Sequence, residues 1–260
     1  MILGKIIGII PCRMSSSRFP GKPLKKIEGI PMIEHVWRRS CQSSLLEEIY
    51  IATCDLEIME YMNTQGANVI MTSAKHKRST DRIAEAVEIL ERKKRNKIEI
   101  VVNIGGDEPL IYPQMLDQVV KPMLKDDSIL TANLIYPIYS EEEFNDQNVV
   151  KVVKNKHNDI LFFSRLPLPF NFSGLTEIKK YKQLSIIPFQ KDFLFKYRDL
   201  SPTPCEIAES IDMMRALEHG FKIRAVETTY ETYSVDTLYD YELVKKKMKQ
   251  DPLFKHYCAL

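Results

Sequence analysis

Absences narrow this chain before its motifs do. The five cysteines, Cys12, Cys41, Cys54, Cys205 and Cys258, are odd in number, scattered, and include no CxxC pair. That argues against both a disulfide framework and a zinc site, and makes a reducing cytoplasm the expected setting. The first apolar run, Ile6 to Ile10, is interrupted by glycine, too short to span a bilayer and followed by no A-x-A cleavage site, so neither export nor membrane insertion is expected. Neither GxxxxGK[ST] nor GxGxxG occurs, which disfavours ordinary P-loop NTPases and Rossmann dehydrogenases. Charge of one sign is also lacking, with 37 Lys and Arg against 35 Asp and Glu. The basic runs Lys93 to Lys97 and Lys245 to Lys249 carry no interleaved aromatics and read as solvated helix ends, so no nucleic-acid partner is expected. No internal repeat or low-complexity stretch is present.

What remains is an ordinary globular composition: 260 residues, 44% hydrophobic and 28% charged, enough for one large domain or one plus a small lobe. Apolar segments near 6–10, 49–53, 68–71, 98–104 and 129–135 alternate with helical patterns near 31–46, 56–65, 80–94 and 113–124. This alternation predicts an α/β fold with a twisted, mostly parallel sheet. In the second half, LFFSRLPLPF and KYKQLSIIPF read as strands of a smaller mixed lobe, and NFSGLTE between them as a mobile flap or dimer contact. A helix is expected from about Cys205 to Glu218, ended by Gly220.

The stretch IIGIIPCRMSSSRFPGKPL, Ile6 to Leu24, carries the most chemistry. Its isoleucines show no polar alternation, as in a strand covered on both faces, and ligands of open α/β sheets bind at the C-terminal ends of such strands. Pro11 ends the ladder. The hydroxyls of Ser15, Ser16 and Ser17 and the loop amides can donate to phosphate oxygens, Gly21 allows close backbone approach, and Arg13, Arg18 and Lys22 add three positive charges. Cations placed directly after a buried strand point to an anion site rather than a solvated turn.

A second turn, GGDEP, follows the apolar run VVNI, and its Asp107 and Glu108 arrive at the same edge. A carboxylate beside phosphates repels them unless a divalent cation stands between, and Mg²⁺ takes a few carboxylates plus phosphate oxygens. The alternative is that Asp107 caps a helix before Pro109. Asp236 in SVDT precedes a helix starting near Leu238 and could equally be a cap.

These motifs resemble the CMP-KDO synthetases, the 3-deoxy-manno-octulosonate cytidylyltransferases, whose opening motif reads close to IPARxxSTRFPGKPL. PMIEHVWRR, IYIATCD, STDRIAEA, VVNIGGDEPLI, NVVKVV, LFFSRLPLPF, ALEHG and VDT follow in family order over most of the chain. The resemblance implies a Rossmann-like nucleotidyltransferase fold of GT-A type. It also implies transfer of CMP from CTP to the anomeric hydroxyl of a 3-deoxy-2-ulosonic acid with release of pyrophosphate, for cell-surface glycan or lipopolysaccharide synthesis. Catalytic roles fall on Arg13, Lys22, Asp107 and Asp236, the two aspartates holding Mg²⁺. Nucleotide contacts fall on Pro11, Arg13, Ser16, Ser17, Arg18, Lys22, Thr80, Arg82 and Gly106, and acceptor contacts on Arg82, Arg165, Gln183, Glu209 and Asp212. His76 matches a family histidine. Arg82 could instead serve a capping and ion-pair arrangement, and Arg165 could be a surface arginine on an edge strand.

A nucleotide-binding core of about 1–135 and 205–260, a sugar-binding and dimerisation lobe of about 136–204, and a homodimer are expected on the same ground. The chain departs from the family pattern with Arg78 and Ser79 in RSTDR, Gly105 before GDEP, Gln183, Ser185, Ile187 and Phe189 in QLSIIPF, and Asp212 and Met213 in ESIDMMR. Phosphate and metal residues kept while polar partners change suggests unchanged chemistry on an altered acceptor, with another acidic or amino sugar such as a nonulosonate, or a nucleotide-sugar-binding pseudoenzyme, as the alternatives.

Overall fold

A computed structural model describes residues 4–15, 19–93, 97–176 and 178–258. Packing divides the chain into two units, one formed by Met1–Asp117 with Thr232–Leu260 and the other by Gln118–Glu231.

The first unit opens with β1 (Lys5–Pro11), the short hairpin of β2 (Lys26–Ile27) and β3 (Ile30–Pro31), and α1 (Met32–Ser40). It continues through β4 (Glu48–Thr53), α2 (Leu56–Thr64), β5 (Asn68–Met71), α3 (Ser79–Lys93) and β6 (Ile98–Ile104). Four of these strands lie in the order β6-β1-β4-β5, all parallel, as the alternation predicts. β1 runs through the centre, and Ile7, Ile9 and Ile10 are buried because helices cover both faces. Gly8 is required there: a Cβ would come within 2.8 Å of side chains of Ile49, Ile104 and Leu46. Helix α3 buries Ile83, Ala84, Ala86, Val87 and Leu90, a helical stripe turned to the sheet. Helix α1 stops six residues earlier than its pattern suggests, because Asp117 accepts bonds from the hydroxyls of Ser43 and Ser44 and the amides of Ser44 and Leu45 in the following turn.

Helix α4 (Pro113–Lys125) leads to β7 (Ala132–Ile138), α5 (Glu141–Asn145), β8 (Lys151–Lys154) and β9 (Ile160–Ser164). Then come β10 (Lys180–Gln183), β11 (Ile186–Gln190), α6 (Lys191–Asp199), α7 (Pro204–Glu209), α8 (Met214–Glu218) and β12 (Arg224–Glu227). In this second unit the order is β12-β7-β10-β8-β9, with β12 parallel to β7 and the other pairs antiparallel. KYKQLSIIPF is therefore two strands, broken at Leu184 and Ser185. The single helix expected over 205–218 is also two, because Ser210 takes a left-handed conformation (φ 53°) and the buried Glu206 carboxylate turns back to pair with Arg215 at 2.8 Å. Gly220 ends α8 at φ +80°, as expected.

The chain returns to the first unit with α9 (Leu238–Gln250) and α10 (Pro252–Cys258). Thr237 and Asp240 form a capping box, so Thr237 rather than Asp236 caps α9. The tail is fastened by Arg39, which is wholly buried and donates to Asp251 Oδ1 at 2.6 Å, to the Tyr257 hydroxyl at 3.2 Å and to the Ile111 carbonyl at 3.3 Å. Among the described residues no helix is long and apolar enough to cross a membrane.

Candidate active site

The site is built at the C-terminal ends of β1 and β6, from three segments of the first unit that a small apolar cluster joins. Ile27 and Met32 follow the first loop, Leu110 follows the GGDEP turn and Val235 precedes Asp236; all four are buried together with Val244 and Met248 of α9. A backbone bond from Val235 N–H to the Asp107 carbonyl, 2.8 Å, stitches two of the segments directly.

The first loop leaves β1 with Cys12 N–H bonded to the Ala52 carbonyl and Met14 N–H to the Asp55 carboxylate, and it closes where Gly21 N–H meets the Met14 carbonyl. Gly21 takes φ +70°, and a 3₁₀ turn begins at Lys22. Its glycine thus serves a backbone conformation that residues with a Cβ rarely adopt. Ser16, Ser17 and Arg18 lie outside the described residues.

Lys22 Nζ stands where the segments converge, 3.1 Å from Asp107 Oδ2, 3.2 Å from Asp236 Oδ1 and 2.8 Å from the Val235 carbonyl. Burial pulls the Lys22 pKa down, but the charges of Asp107 and Asp236 and their hydrogen bonds more than reverse this, leaving it raised and the side chain an ammonium. No helix begins at the GGDEP turn, so the capping alternative for Asp107 falls away. Gly106 packs under the end of β1, where a Cβ would lie 3.0 Å from the Pro11 carbonyl.

A cavity of about 180 Å³ opens beside this cluster's strand edge, lined by Pro11, Cys12 and Arg13 at the end of β1 and by His76, Lys77, Arg78, Ser79 and Arg82. Four of these are Lys or Arg, which suits a polyanion. Arg13 is exposed and reaches the His76 carbonyl at 3.4 Å. Arg82 is buried, donating to Thr72 Oγ1 at 2.5 Å and to Cys54 Sγ at 3.6 Å, and Thr80 is buried in the first turn of α3. Lys77 and Arg78 were not singled out as ligand contacts from sequence, although the departure RSTDR marks the place. Burial pushes the Cys12 thiol up to about 12, so it stays neutral in the cavity wall.

The donor set suits a hard divalent cation. Asp107 and Asp236 come from separate segments yet both carboxylates face one point, shown by the single ammonium that bonds both. Among the described residues no group of three or more His, Cys, Asp or Glu side chains could hold a metal. Two carboxylates leave the rest of such a cation's shell to water and other oxygens rather than to an all-protein cage.

The remaining candidates lie in the second unit. Arg165 donates to the carbonyls of Glu209 at 2.7 Å, Gln147 at 2.9 Å and Ser210 at 3.4 Å. The Glu209 carboxylate accepts from Ser164 Oγ and the Arg165 amide at 2.8 and 2.9 Å. These two residues are thus brought together, whereas Gln183 donates to Asn133 at 2.6 Å and Asp212 accepts from the Tyr197 hydroxyl at 2.9 Å.

Comparison with known proteins identifies the family. A family described as cytidylyltransferase matches residues 7–223. A 3-deoxy-manno-octulosonate cytidylyltransferase of Geobacter metallireducens is 40% identical over 256 residues, covering 95% of this chain and 98% of that protein. One from Syntrophus aciditrophicus is 42% identical over 233 residues, 90% of this chain and 93% of that protein. A solved CMP:2-keto-3-deoxy-manno-octonic acid synthetase complexed with CTP superposes with a TM-score of 0.86 at 34% identity, over 95% of this chain and 99% of that one. A cytidylyltransferase structure from Leptospira borgpetersenii, 19% identical with a TM-score of 0.63, shares the fold.

Proposed function

The chain belongs to the cytidylyltransferase family and is a nucleotidyltransferase, and on that premise we propose that it transfers CMP from CTP to the anomeric hydroxyl of KDO or a close 3-deoxy-2-ulosonic acid analogue. The observation that carries the reading is the convergence of Lys22, Asp107 and Asp236 at the end of β1, beside a cationic cavity. Relatives of about 40% identity that are named for KDO supply the acceptor class.

In this reading the anomeric oxygen attacks the α-phosphorus of CTP, its proton passes to solvent, and the bond to pyrophosphate breaks on the opposite side. Arg13 and Lys22 stabilise charge growing on the α-phosphate and leaving group, and positioning accounts for most of the remaining rate gain. Asp107 and Asp236 are the residues that would hold Mg²⁺, which when bound supplies the charge neutralisation that carboxylates beside phosphates need. Pro11, Thr80, Arg82 and Gly106 are the proposed nucleotide contacts, as are Ser16, Ser17 and Arg18.

Arg165, Gln183, Glu209 and Asp212 remain the proposed acceptor contacts, which divides the labour between a nucleotide core and a sugar-binding lobe. A cytoplasmic homodimer is the proposed state. The exposed Leu166, Phe170, Phe172 and Leu175 of the second unit support a self-association surface there.

The test is pyrophosphate release by purified protein with Mg²⁺ and CTP across KDO, 8-amino-KDO, other 3-deoxy-ulosonic acids and sialic acids. Metal-dependent turnover with a 3-deoxy-ulosonic acid, lost in Asp107→Asn, is the expected result. Turnover only with a nonulosonate would move the acceptor class, and CTP binding without turnover on any acceptor would leave a binder.

A further inference from the structure

Glu85, beside the cavity, has no role in the reading above. Glu85 lies on α3 one turn beyond Arg82, so the two share a face of the helix. Arg82 lines the cavity, while Glu85 reaches behind the loop that forms its wall. A single oxygen, Glu85 Oε2, accepts from the Ser73 amide at 2.7 Å and from His76 Nε2 at 2.6 Å. A carboxylate only accepts, so Nε2 carries the hydrogen. Ser73 Oγ then accepts from the Lys75 amide at 3.2 Å, and the His76 carbonyl accepts from Arg13 at 3.4 Å. Both ends of the 73–76 turn are therefore fastened to one atom of α3, and the far side of that turn meets Arg13.

We propose that Glu85 is a positioning residue for nucleotide binding: through the 73–76 turn it fixes His76 and the start of the Lys77–Arg78–Ser79 wall against Arg13. The proposal rests on the reading of this cavity as the nucleotide site. A rigid α3 thereby sets two parts of the cavity at once, Arg82 directly and the wall loop through Glu85. Loops that bind ligands gain from such an anchor, because a wall free to open forfeits part of its binding energy to ordering.

The role requires an acceptor oxygen rather than a negative charge, which makes it separable from general electrostatics. Glu85→Gln keeps an oxygen able to accept both bonds, and Glu85→Ala removes it. The experiment measures CTP binding by calorimetry and amide hydrogen exchange over residues 73–79 in the wild type and both variants, with melting temperature as a control. Expected for Glu85→Ala is CTP affinity weakened about five- to tenfold with faster exchange confined to 73–79, and for Glu85→Gln affinity within about twofold of the wild type. Wild-type CTP affinity retained in Glu85→Ala overturns the proposal and leaves the nucleotide reading intact. So does a Glu85→Gln variant as weak as Glu85→Ala, or weakened binding without local loosening of the loop. Failure of the wild type itself to bind CTP overturns the nucleotide reading, and this proposal with it.

Discussion

Lys22 Nζ lies 3.1 Å from Asp107 Oδ2, so a residue proposed to serve the phosphates and one proposed to serve a cation are in direct contact. Asp236 completes the arrangement on the other side at 3.2 Å. Each carboxylate stabilises the ammonium, and the ammonium keeps two like charges from facing each other unscreened.

Removing the ammonium by Lys22→Met should lower pyrophosphate release by about 10²–10³-fold, the usual cost of losing one preorganised charge at a reacting phosphate. The same variant leaves Asp107 and Asp236 repelling one another. Added Mg²⁺ should therefore raise its melting temperature more than that of the wild type, as thermal scans with and without the metal would reveal. Equal metal responses in the two proteins would disprove the shared carboxylate site.

Asp107→Asn and Asp236→Asn each remove one negative oxygen donor while keeping shape. Both should require more Mg²⁺ for half-maximal rate and turn over at least about tenfold more slowly even at saturating metal. A metal titration of the initial rate checks this, and a variant with wild-type metal dependence would lose its place as a ligand.

Stability of the same unit also depends on Arg39 and Asp251, a buried ion pair with side chains 0% and 6% exposed. Asp251→Ala strands a guanidinium in the core and should cost about 3–5 kcal/mol in urea unfolding. A loss below about 1 kcal/mol would mean that the Tyr257 and Ile111 contacts suffice.

His35 makes a pH-dependent contribution. In the neutral ring its Nε2–H donates to the Ile27 carbonyl at 2.8 Å and its Nδ1 accepts from the Tyr257 hydroxyl at 2.6 Å. Burial pushes its pKa down to about 4, against 6.5 for an ordinary histidine. Well above pH 6.5 neither state is protonated here and the contribution is whole. As the pH falls from 6.5 towards 4, the unfolded chain takes up a proton that the fold refuses, and stability is lost, by about 3 kcal/mol in all. The advantage of wild type over His35→Gln in urea unfolding should therefore shrink by about 2 kcal/mol between pH 7 and 4.5. A gap that stays constant would refute the assignment.

Gly8→Ala tests the centre of the sheet. Its Cβ would press within 2.8 Å of Ile49, Ile104 and Leu46, so overpacking should lower stability by about 1–3 kcal/mol, with the melting temperature as the readout.

Much of the architecture was legible from local pattern. The unbroken isoleucine run of β1, the helical spacing of α3 and the strand–helix alternation through β6 are short-range signals, and they appear where the pattern puts them. Ser210 in a left-handed conformation splits α7 from α8, a local competition that a pattern cannot rank. Thr237 rather than Asp236 caps α9, an alternative the sequence left open. Arg82 reads equally as a helix-start ion pair or a ligand contact. The fold places its guanidinium against Thr72 and Cys54 and the residue in the cavity wall.

Residue order alone determined the α/β class, the cationic character of the first loop and the family, because these live in contiguous segments of a few residues. Tertiary structure decided which distant charges meet. Lys22 and Asp107 are 85 positions apart and Lys22 and Asp236 are 214 apart, and nothing in either interval specifies a distance of 3 Å. The apolar cluster of Ile27, Met32, Leu110 and Val235 sets that distance, because burying those side chains together leaves the three polar neighbours no separate place to go.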